Sequence, residues 1–239
     1  MKPSPRMSAV AALASLLLVA GCGGDDGGDD PADSAFAKQS GNKIADAAKS
    51  DMKELDQVKY SGEINSGGSS ISLDIQASSA GDCTGTIGIG EGTAEVLAKD
   101  GDNWFKPDEA FWRAQAPDQA DAIIAAVGDK WVLDTDANFA QFCDLDAFFE
   151  NIFTDDGGSD SEYKTVGTDE IDGEAVVKVE KSDDAGPATG YVIIEGKHYL
   201  LKLERTDGDD AGSLEFSDFN KEFEVEAPAD DEVADLSQV

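Results

Sequence analysis

From Tyr60 onward the hydrophobic period of the chain drops to two, and that switch limits the folds open to it. Ile71, Leu73 and Ile75 alternate with Ser72, Asp74 and Gln76. Successive side chains of an extended chain point to opposite faces, so this alternation builds one dry and one wet face, as in an antiparallel sheet. Residues 86–89, 94–99 and 103–106 continue the pattern, divided by Gly90-Glu91-Gly92 and Asp100-Gly101-Asp102. A second series of strands is predicted at 162–167, 174–181, 189–194, 197–205 and 212–219. Asp172-Gly173, Glu195-Gly196 and Asp207-Gly208 join them, sequences suited to the left-handed backbone of tight hairpins.

Helices bracket the first strand series. Residues 33–59 predict a helix, with Ile44, Ala48, Met52 and Leu55 on one stripe and Gly41 a weak point within it. Pro107-Asp108-Glu109 is a helix-start signal. Residues 117–127 form a second helical stretch, and Trp131-Val132-Leu133 returns to strand. Residues 138–153 are aromatic and helical, carrying Phe139, Phe142, Phe148, Phe149, Ile152 and Phe153. Helices segregated from antiparallel strands give an α+β class. The aromatic segment reads either as a cover that completes the core or as a lid over a lipid-sized cavity.

Charge narrows the choice of partners. The chain has 51 acidic and 18 basic residues and a net charge of −33. A nucleic-acid ligand needs a positive surface, so none is expected. Broad electrostatic docking on anionic lipid is disfavoured for the same reason.

Chemistry is hard to find. His198 is the single histidine and falls at a hairpin start, where a structural or exposed role is expected. A Ser-His-Asp triad would need it, and no G-x-S-x-G elbow is present. Asp134-Thr135-Asp136 opens like a calcium loop, but Phe139 replaces the required glycine and Leu145 the required glutamate. The region around Asp207, Asp209 and Asp218 comes closer, yet reads as strand–turn–strand. No enzyme activity, metal or cofactor is expected.

The N-terminus has its own signature. Lys2 and Arg6 precede an uncharged run, residues 7–20, that is short for a bilayer span. Leu18-Val19-Ala20-Gly21-Cys22 follows and resembles the lipobox of bacterial lipoproteins. That resemblance implies a signal peptide over 1–21 and a Cys22 that carries palmitate-type acyl chains at the extracytoplasmic face of the cell membrane. Residues 22–32, rich in Asp and Gly, read as a flexible acidic tether. A single domain is expected over 33–228, with a tail at 229–239. Two cysteines remain, Cys83 and Cys143. In an exported domain they predict a disulfide, worth about 4 kcal/mol for a loop of this length.

Trp104-Phe105-Lys106-Pro107-Asp108-Glu109-Ala110-Phe111-Trp112 and Gly128-Asp129-Lys130-Trp131-Val132 resemble the middle of actinobacterial lipoproteins of the LppX–LprG group, related more distantly to LolA-like carriers. The resemblance implies a curved antiparallel half-barrel with helices over its concave face, and a hydrophobic cavity that holds a lipid or lipoglycan. Candidate cavity residues are then Leu73, Ile75, Ile87, Ile89, Phe148, Phe149, Val177, Ile193 and Leu201. Each also reads as ordinary core. The alternative function is a non-enzymatic cell-envelope sensor or protein-interaction module on the same scaffold, with its protein partner unspecified.

Overall fold

A computed structural model describes residues 31–66, 68–135, 139–153, 162–183, 186–208 and 211–234. The expected signal peptide, Cys22 and most of the expected tether lie outside the described residues. The first helix is α1 (Gly41–Lys53). Then come β1 (Gln57–Ser66), β2 (Ser69–Ser78), β3 (Cys83–Ile89), β4 (Gly92–Lys99) and β5 (Asp102–Pro107). The insertion holds α2 (Glu109–Gln115), α3 (Ala120–Val127), β6 (Trp131–Leu133), a 3-10 turn (Ala140–Phe142) and α4 (Leu145–Phe153). The rest is β7 (Tyr163–Ile171), β8 (Glu174–Asp183), β9 (Gly186–Ile193), β10 (Leu200–Arg205), β11 (Gly212–Ser217) and β12 (Val233–Ala234).

These strands form one 12-stranded sheet in the order β12-β6-β5-β4-β3-β2-β1-β11-β10-β9-β8-β7. Every pairing is antiparallel except β12 on β6. Most neighbours in space are neighbours in sequence. The exceptions are β12 beside β6 and β1 beside β11, the latter joining the two series with Tyr60 opposite Phe216.

The sheet curves around the helices, and the composition of the core shows why. Ile44, Ala48 and Met52 of α1 and Leu145, Phe148 and Phe149 of α4 share one buried cluster with residues from Val96 on β4 to Val179 on β8. Eight strands run from β4 to β8 in the sheet order. Laid flat they would span about 33 Å at the usual strand spacing, against a helix diameter of about 10 Å. Two helices close such a span only if the sheet wraps them. Glycine assists at Gly62 and Gly85, within β1 and β3, where a Cβ would overlap the Ser213 and Asp74 carbonyls respectively. The molecule is thus α+β, with a curved, mostly antiparallel sheet.

Several boundaries differ from the sequence reading; the first helix, expected to reach Lys59, ends at Lys53, and β1 has begun by Gln57. Helix α1 begins at Gly41, so this glycine is its first residue and not an interior flaw. It is buried, and a Cβ there would overlap the Tyr163 carbonyl. The chain before it forms a 3-10 turn, Pro31–Asp33, which takes in the last residues assigned to the tether. Past Pro228, where an exit into a tail is expected, Val233 and Ala234 pair with Trp131 and Val132. A two-residue strand is too short to leave a period, so the sequence does not announce it.

The Cys83–Cys143 disulfide is present. It ties the turn before α4 to the start of β3. Tyr60 on β1 adds a second tie, its hydroxyl donating to the Phe142 carbonyl. Its ring stacks on Phe148 at 4.3 Å. The floor beneath α4 is therefore filled by aromatic rings.

Candidate functional site: a trough over the second strand series

The nine candidate cavity residues do not line one space. Leu73, Ile75, Ile87, Phe148, Phe149 and Val177 are buried in the core cluster, and Ile89 packs against it. Ile193 and Leu201 are half-buried and lie outside that cluster. Their miss is one of phase. Ile193 pairs with Val176, while the neighbouring pair Val177–Val192 faces the core. Leu201 is the extra residue of a β-bulge between Leu200 and Lys202, which turns Leu200 inward in its place.

Open space exists beside this packed centre. A trough of about 500 Å³ runs between α1, the C-terminal end of α4 and the inner face of β8, β9 and β10. Ala45 and Ala48 of α1 and Ile152 and Phe153 of α4 form its helical wall. Tyr163 and Ile64 close its sides. Its floor is built in three cross-strand rows. The deepest is Val192–Leu200, with the fully buried Val177 behind it in the core, the middle one Val179–Gly190–Leu203, and the outermost Lys181–Ala188–Arg205. The centre of the floor is β9, whose inward residues Ala188 and Gly190 fill little volume. A Cβ on Gly190 would meet Leu200 Cδ1 at 3.1 Å, so the floor already sits at contact distance there.

The walls are held by polar ties outside the trough. The Asp51 carboxylate accepts from the His198 backbone N–H at 2.7 Å and pairs with Lys197 at 3.0 Å. Burial pushes the Asp51 carboxyl up, but these donors and the lysine charge outweigh it and hold it below the usual carboxylate range. Lys197 also bridges to Glu54 at 2.8 Å, which fastens the β9–β10 connection to the end of α1. His198 stacks on Phe36 and lies 3.0 Å from the Ile193 carbonyl through Nδ1, a structural placement. Asp134 spends a carboxylate oxygen on the Phe139 N–H, a local turn contact. Parts of both calcium-like loops lie outside the described residues.

Sequence reasoning missed Lys181 and Arg205. The signal was there: each is the basic residue that ends an alternating apolar strand, in a chain with few basic residues. Lys181 Nζ lies 5.7 Å from the Tyr163 ring centroid, and Arg205 donates to the Gly186 carbonyl.

No family model and no curated protein matches the sequence. Solved structures are similar in fold. LprF from Mycobacterium bovis aligns over 79% of this chain and 97% of that one, at 15% identity and a TM-score of 0.55. The Mycobacterium tuberculosis lipoprotein LppX aligns over 77% and 97%, at 14% identity and a TM-score of 0.49. A LolA superfamily protein from Nitrosomonas europaea aligns over 81% and 96%, at 14% identity and a TM-score of 0.24. The chain therefore has the fold of LprF, a curved antiparallel sheet wrapped on helices, as the sequence resemblance implies.

Proposed function

We propose that this protein is a non-enzymatic, lipid-anchored lipoprotein of the cell envelope, tethered through Cys22 at the extracytoplasmic face, that holds an acyl chain in the trough. The observation that carries this reading is the trough itself. Its volume of about 500 Å³ lies within the ~300–1,000 Å³ of small-ligand sites. Its walls are mainly apolar, and they are rigid sheet and helix. The LprF-like fold supports the reading, and the lipobox supports the location.

Direct binding tests it. The uncharged amphiphile dodecanol, added to the protein loaded with the apolar dye Nile red, should displace the dye. Ala188→Trp, which fills the floor from a half-buried position, should weaken dodecanol binding at least tenfold with an unchanged melting temperature. Equal dodecanol affinity in the two proteins would place any binding elsewhere and overturn the reading.

A further inference from the structure

We infer that the trough measures chain length: it encloses one unbranched chain of about ten to twelve carbons, stops the methyl end at Val192 and Leu200, and leaves the headgroup at the mouth. This deepens the reading above and rests on it.

Three observations meet here. The first is direction. Among the described residues, burial deepens the same way along three elements that line the trough. On β9 it runs from the half-buried Ala188 and Gly190 to Val192, which is 2% exposed. On β10 it runs from the half-buried Leu203 to Leu200, and on α1 from the half-buried Ala45 to the buried Ala48. The trough therefore has a wet end at Ala188 and a dry end at Val192 and Leu200. Removing apolar surface from water drives a chain in tail first, with its polar head last.

The second observation is where the space stops. One step beyond the last lining residue, each element meets filled core. Met52 follows Ala48 by about one turn of α1, Val177 lies two residues inward of Val179 on β8, and Ile194 lies two residues beyond Val192. None of these three lines the trough, and all belong to the buried cluster. On β10, Leu200 is the first residue of the strand. Four elements thus close the space at one level. A close-packed interior does not admit extra methylenes without strain, so this end is a wall.

The third is length. From Ala188 to Val192 the floor strand advances four residues, about 14 Å at the usual rise. A zigzag of ~1.5 Å carbon bonds advances about 1.3 Å per carbon, so the floor matches a chain of about eleven carbons. Gly190 lies midway and puts no side chain in the path. The roof is fixed over this floor, because Lys49 Nζ of α1 donates to the Phe153 carbonyl of α4 at 3.3 Å.

The test titrates the whole protein with neutral n-alkyl maltosides, from hexyl through octyl, decyl and dodecyl to tetradecyl. Each is kept below its micelle concentration, and Nile red displacement is the readout. Each pair of added methylenes should tighten binding about fifteenfold up to decyl. The step from dodecyl to tetradecyl should gain less than threefold, because the added carbons stay in water at the mouth. A gain per step that stays constant through tetradecyl would overturn the end wall and leave the acyl trough standing, and that comparison needs no variant. Gly190→Val sets a side chain across the floor about 7 Å from Ala188 and should move the break down to hexyl or octyl. An unchanged break in the folded variant would place the chain outside the trough and overturn the assignment. Displacement by dodecanol but by no maltoside would overturn the head-out orientation, and the proposal with it. Displacement by neither would overturn both readings.

Discussion

Tyr60 joins sheet and cover through one hydroxyl. Its side chain is fully buried, and that burial pushes the phenol pKa up from its ordinary value. The hydroxyl stays a neutral donor to the Phe142 carbonyl. Tyr60→Phe keeps the ring stack on Phe148 and deletes the donor, leaving a carbonyl unpaired near the core. A loss of about 1–3 kcal/mol is expected in urea unfolding, with little change in the unfolding slope. Gly41 works by absence. Any side chain there meets the Tyr163 backbone, which a rotamer change cannot relieve. Gly41→Ala, normally favourable in a helix, should therefore destabilise by about 1–3 kcal/mol on thermal unfolding. A stabilised Gly41→Ala protein would show that α1 does not enter against β7 as described.

Elements depend on carboxylates at their ends. Asp108 caps α2, accepting from the Phe111 N–H at 2.7 Å and the Thr93 hydroxyl at 2.8 Å. Burial raises its carboxyl, yet these hydrogen bonds prevail and leave it below the usual range, as with Asp51. A lowered folded-state pKa means that the unfolded chain takes up protons first. The stability these groups contribute is fully present above about pH 4, the unfolded carboxylate value, and is lost as pH falls through the folded value. Asp108→Ala should cost about 0.5–2 kcal/mol at pH 7. It should also flatten the acid limb of a stability–pH curve measured by denaturant titration. The disulfide acts on α4. With its cysteines 60 positions apart, replacing both by alanine should lower stability by about 4 kcal/mol in the chain-entropy model.

The strands β2 and β4 follow from alternation, because each has one wet face. In β9 the run Tyr191-Val192-Ile193 is apolar on both faces, so its phase is ambiguous. In β10 the bulge after Leu200 breaks the period altogether. Those two features displaced Ile193 and Leu201 from the trough by one residue each. The remaining candidates are large apolar residues, and large apolar residues fill space. The trough is formed where Ala45, Ala48, Ala188 and Gly190 leave space open, a property of neighbours across strands that no single segment reveals.

For the molecule as a whole, charge and packing divide the labour. Among the described residues the charged side chains lie on solvated faces, Asp134 excepted. The centre of the concave side is filled by the aromatic stack of Tyr60, Phe148 and Phe216. The end over the second strand series is open between α1 and α4. A filled centre beside an open end is what distinguishes a binder of one small amphiphile from a scaffold with a continuous core. Native mass spectrometry of the protein purified from an actinobacterial host, followed by organic extraction, tests this most directly. The account predicts one bound species per chain, released on denaturation and carrying an acyl chain. Repeated preparations that give only the ligand-free mass would contradict it and favour a protein-interaction module on the same fold.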